Sequence, residues 1–130
     1  MANGLIVGCA AANPGFALFH PAFWRLFDWH GRLGCLGRVN RAVMQVMNVR
    51  LIYVFVMFAV LQTVYTESIT GSPLGIALQA GIVLFWAMRA VEQVVFFGLA
   101  HPAPIGIFAV FVANALLHAA VVLAAGGQHA

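Results

Sequence analysis

The sequence predicts an all-α fold, an integral membrane four-helix up-down bundle with an interfacial connector between helices 1 and 2, as a single transmembrane domain over residues 1–130. Three observations carry this. Hydrophobic residues make up 64% of the 130 and charged residues only 7%, where a soluble domain holds roughly a quarter charged. Mean hydropathy is +1.00. Apolar runs recur at about 20 residues, the length a helix needs to cross roughly 30 Å of hydrocarbon. The net charge of +3 comes from six arginines spread among apolar segments with no lysine, so no basic patch exists and nucleic acid is not an expected partner. Membrane lipid is.

The first span is expected over about residues 4–24, where Pro14 removes a backbone donor and introduces a kink. The connector, residues 25–41, reads RLFDWHGRLGCLGRVNR, with three glycines and four of the arginines. It reads as an interfacial loop or short amphipathic helix, with Trp24 and Trp29 as anchors at headgroup level. The second span, about 42–65, stops at TESITGSP, where Gly71 and Pro73 mark a turn. The third covers about 74–99 and is closed by HPAP. The fourth, about 105–125, ends at Gly126 and Gly127. Short links after the second and third spans require antiparallel neighbours. Cys9 and Cys35 are too few and too separated for a disulfide framework or a metal cluster.

Within the third span, MRAVEQVV places Arg89, Glu92 and Gln93 among apolar residues. If the second and third spans form a hairpin about Ile69 and Thr70, residues equally far from the turn share a depth, because each helix rises about 1.5 Å per residue. Arg50 and Arg89 are then level, with Asn48 and Gln45 within a turn of Glu92, and Asn114 of the fourth span arrives nearby. A charge near a helix centre costs about 2.5–3.5 kcal/mol even on a lenient scale, so Glu92 requires a partner, either Arg89 three residues earlier or Arg50 across the hairpin. Two arginines against one acid leave room for a bound anion held by a guanidinium fork. The alternative is that Arg50 and Arg89 snorkel to headgroups and Glu92 lies at the interface. His20, His30 and His101 fall near one mouth of the bundle but lack metal-site spacing, so no metal is expected. His118, among small residues, is expected to be a hydrogen-bonded packing residue.

The stretch R-V-N-R-A-V-M-Q-V-M-N from Arg38 to Asn48, with R-A-V-E-Q-V-V-F from Arg89 to Phe96, resembles the membrane-associated proteins in eicosanoid and glutathione metabolism. These are four-span enzymes with the pattern R-x-x-R-A-x-x-N-x-x-E on the second helix and R-x-x-H/Y-x-x-x-Y on the third. Arg38, Arg41 and Arg89 match its arginines, whereas Gln45, Asn48, Glu92 and Phe96 depart. The glutamate missing at Asn48 is among the family's glutathione contacts. The resemblance implies a homo-oligomer, a trimer, and glutathione as the possible cofactor.

The leading expectation is a ligand-binding membrane protein that takes an anionic, lipid-like or amphipathic molecule through Arg50, Arg89, Glu92, Gln93, Asn48, Gln45, Asn114, Arg41 and Arg38. The alternatives are a glutathione- or lipid-dependent transferase or isomerase, and a structural or accessory subunit with no ligand. A proton carrier built on Glu92 is disfavoured, because an arginine three residues away neutralises the acid.

Arg25, Arg32, Arg38 and Arg41 all fall in the connector, while Glu67 lies on the opposite side. The positive-inside rule therefore orients the connector to the cytoplasm and both termini outward. Reporter fusions at residue 70 and after Ala130 should be extracytoplasmic and one near Gly34 cytoplasmic; a cytoplasmic fusion after Ala130 would overturn this orientation.

Overall fold

The computed structural model describes residues 2–127, and among these there are helices and no strands. The elements are α1 (Ala2–Leu26), α2 (Trp29–Arg32), a 3-10 turn (Leu33–Cys35), α3 (Arg38–Val64), α4 (Thr66–Gly71), α5 (Pro73–Glu92) continued by a π-helical turn (Gln93–Phe97), and α6 (Pro102–Gly126). Four helical stretches, Ala2–Leu26, Arg38–Val64, Pro73–Phe97 and Pro102–Gly126, are long and apolar enough to cross a membrane. At 25 to 27 residues each they run about 37–40 Å, more than the roughly 30 Å of hydrocarbon. The chain is a small multi-pass membrane protein of all-α class.

Local chemistry sets the helix ends. Ser72 accepts from the Gly75 amide at 3.0 Å and Pro73 occupies the first turn, where its missing N–H leaves no partner wanting. In α1 the chain stays helical through both Pro14 and Pro21. Each proline deletes one rung of the ladder without ending the helix. The connector forms α2 and the 3-10 turn, entered through Asp28 in the left-handed region at φ 47°. The Arg41 guanidinium donates to the carbonyls of Gly34 at 3.2 Å and Leu36 at 3.5 Å, fastening the connector's end to the first turn of α3. Trp29 does not stand out as an anchor: it is buried, with its ring 5.1 Å from Trp24 and 6.1 Å from Phe23, because the α2 turn folds it back onto α1.

The described residues form two compact units, residues 10–61 and residues 2–9 with 62–127. In the first, the later part of α1 meets α3. Phe16 and His20 both lie against Phe55, at 5.5 and 5.1 Å between rings, and Asn48 donates its amide to the His20 carbonyl at 3.2 Å. In the second, α5 and α6 pack antiparallel, since Gln79 meets His118 while Arg89 meets Phe111. The buried positions of α6 are Phe111, Asn114, His118, Val121 and Ala125, steps of three and four that make one seam. Gly75, Gln79, Ile82, Trp86 and Ala90 form the facing seam of α5. Leu78, Leu84, Met88, Val91, Leu116 and Leu123 remain exposed, as befits helices solvated by lipid.

Where α4 meets α5 the backbones approach closely enough to require glycine: a Cβ on Gly75 would collide with the Ile69 backbone and with the Ser68 carbonyl. Gly75→Ala should therefore lose about 1–3 kcal/mol, read as a lower melting temperature by circular dichroism in detergent. Gly81→Ala, in the same helix with open space around it, should melt no lower than the parent.

Candidate functional site

Glu92 finds its partner on its own helix. The Arg89 guanidinium donates through Nη1 to Glu92 Oε2, a pair one turn apart on α5. Arg89 also lies over the Phe111 ring, 5.3 Å from its centroid, a cation-π contact that ties the pair to α6. Phe111 is the tenth residue of α6, so this level lies about 14 Å from the start of that helix, more than a third of its length. The side chains are 28% and 38% exposed. Gln93, the next residue, is buried where the α-helix gives way to the π turn, a distortion that often accompanies functional positions.

Deeper along the same seam lies a polar cluster wholly closed off from solvent. His118 and Gln62 are 0% exposed and Gln79 is 1%. The Gln62 amide donates to Gln79 Oε1 at 3.1 Å, and the amide nitrogens of Gln79 and Gln62 stand 2.7 and 3.2 Å from His118 Nδ1. Two amide donors aimed at Nδ1 make it the acceptor and put the ring proton on Nε2. That Nε2 is buried with no hydrogen-bond partner among the described residues, as is Asn114 Oδ1 one turn earlier. Asn114 spends its amide on the Val110 carbonyl at 2.9 Å. Trp86 stacks near-parallel on His118, 6.5 Å between rings and 21° between planes, and its ring also lies 5.9 Å from that of Phe111.

The remaining expected residues lie on α3, in the other unit. Asn48 is buried and bonded to α1, Gln45 is half-buried, and Arg38, Arg41 and Arg50 are exposed. Of the histidines, His20 donates from Nδ1 to the Phe16 carbonyl at 2.8 Å, His30 lies near Trp24, and His101 precedes α6. No cluster of three metal-ligating side chains occurs among the described residues. Gln62 and Gln79 were missed by sequence reasoning. The hairpin count could have found them, since they flank the turn at nearly equal distance, but uncharged amides disturb hydropathy less than Arg89 and Glu92 do.

The fold defines the class as a small multi-pass helical membrane protein. No family model, curated protein or solved structure matches the chain.

If the cluster holds α5 to α6, Gln79→Leu should cost about 1–2 kcal/mol, because it removes two of the cluster's three hydrogen bonds from a water-free interior and leaves only the 3.2 Å contact between Gln62 and His118. The triple variant Gln62→Leu, Gln79→Leu, His118→Phe should recover much of that loss, having no stranded polar group left. Thermal melts in one detergent compare them directly. A triple variant far less stable than Gln79→Leu would mean that the three residues do not act as a unit.

Proposed function

We propose that this protein binds an anionic, amphipathic molecule within its membrane span, with the head of that molecule on the Arg89 guanidinium and Glu92 holding the guanidinium in position. The observation that supports this most is the state of the Arg89–Glu92 pair. It lies well along the span, yet both side chains are partly exposed. A guanidinium has five N–H donors in a fork that matches carboxylate and phosphate, and Glu92 engages Arg89 through a single hydrogen bond. Hydrocarbon has no acceptor for the rest. An anionic head would satisfy them, and Gln93 and the unpartnered Asn114 Oδ1 add polar groups to the same two helices.

A second reading, a structural or accessory subunit without a ligand, is favoured by the Gln62–Gln79–His118 cluster, which satisfies most of its own hydrogen bonds. The two are separated by what the purified protein carries. Native mass spectrometry from mild detergent should show an anionic amphiphile on the parent, reduced about tenfold or more by Arg89→Gln, the equivalent of one lost charge-assisted bond. Arg89→Lys should retain less than the parent, because an ammonium cannot form the fork. A parent free of any adduct, or an adduct indifferent to Arg89, favours the accessory reading. Glutathione titrated by calorimetry is expected to give no heat, given the departures at Gln45, Asn48, Glu92 and Phe96.

A further inference from the structure

We propose that the first three turns of α3 form a binding site for an anionic bilayer phospholipid, with the phosphate on Arg38 and an acyl chain along the groove that follows it. The groove is an open, shallow hollow of about 530 Å³ along one face of α3, lined by Arg38, Val39, Ala42, Val43, Val46 and Met47. These residues form two ridges at i, i+4, i+8 spacing, Arg38–Ala42–Val46 and Val39–Val43–Met47, and the small Ala42 between larger neighbours makes the hollow. From Arg38 to Met47 it runs about 14 Å along the helix. One end is a cation and the rest is apolar, the polarity of a phospholipid and not of a free phosphate.

Charge and coverage support the same occupant. Arg41, the nearest other cation on α3, is committed to the Gly34 and Leu36 carbonyls, whereas Arg38 is exposed and has no acceptor among the described residues. Residues 10–61 carry Arg25, Arg32, Arg38, Arg41 and Arg50 against the single acid Asp28, so the unit presents excess positive charge to an anionic headgroup. Of the four spans, α3 has the smallest share of its apolar window buried within the protein, 17% against 22–33% for the others. Val39 is 74% exposed and Met47 58%. This face is the one most open to lipid.

The test uses the full-length protein in detergent, offered equal amounts of phosphatidylglycerol and phosphatidylcholine with the same acyl chains, with retained lipid counted by native mass spectrometry. The parent should retain phosphatidylglycerol over phosphatidylcholine by about fivefold, the preference one basic residue near a headgroup confers. Arg38→Gln should bring the ratio close to one, and Ala42→Phe, which fills the hollow, should lower retention of both lipids. Arg25→Gln and Arg32→Gln, which change exposed arginines outside both sites, should leave the ratio unchanged, which ties the preference to Arg38. The proposal is overturned if Arg38→Gln keeps the preference, if soluble glycerol phosphate displaces the lipid, or if α3 is occupied by a second copy, seen as a lipid-independent dimer that Ala42→Phe dissociates.

Discussion

The pairing of α5 with α6 turns on a hydrogen bond, from the Gln79 amide to His118 Nδ1, made where neither side chain reaches solvent. Apolar contact alone selects weakly between one rotation of a membrane helix and another, because lipid tails are as apolar as leucine. A buried amide selects strongly, since every rotation but one leaves it without a partner. With Gln79 facing His118, the helical period carries Ile82, Trp86 and Ala90 onto the same seam and Phe111, Val121 and Ala125 onto the opposing one. Arg89 then arrives over Phe111. The register of the candidate site thus follows from a neutral network two to three turns away.

Charged and neutral polar groups are treated differently. The amides and the imidazole are fully enclosed, where they bond each other, while the ion pair sits at the flank of the seam with part of each side chain outside it. Enclosing a carboxylate and a guanidinium removes hydration that one contact does not return, whereas enclosing an amide asks only for a partner. An Arg–Glu pair on consecutive turns also needs no tertiary structure to form, so it holds whatever else binds there.

The helix ends follow a related economy of donors and acceptors. Ser72 caps α5, Thr66 and Thr70 turn their hydroxyls back to the carbonyls of Gln62 and Thr66, and Arg41 serves the carbonyls that the connector leaves open. The departure from α-helical geometry in α5, the π turn Gln93–Phe97, begins immediately after Glu92 and ends at Gly98, whose φ of 67° suits glycine. It buries Gln93 while leaving Phe96 and Phe97 exposed.

By itself the sequence determined the class, the four long helices and, to within a few residues, their limits. Crossing hydrocarbon depends on length and composition, and breaks such as Ser72–Pro73 and Gly98–Pro102 are local. It also singled out Arg89, Glu92 and His118, because ionisable groups in apolar runs are conspicuous. Only the tertiary structure decided which polar groups meet. Asn48 turned to the His20 carbonyl, and Gln62 and Gln79, which composition hardly distinguishes from their surroundings, became the partners of His118. Hydropathy gives the depth of a residue along a helix and says little about its rotation. Rotation advances about 100° with each residue, and it is set by the helix that packs against it.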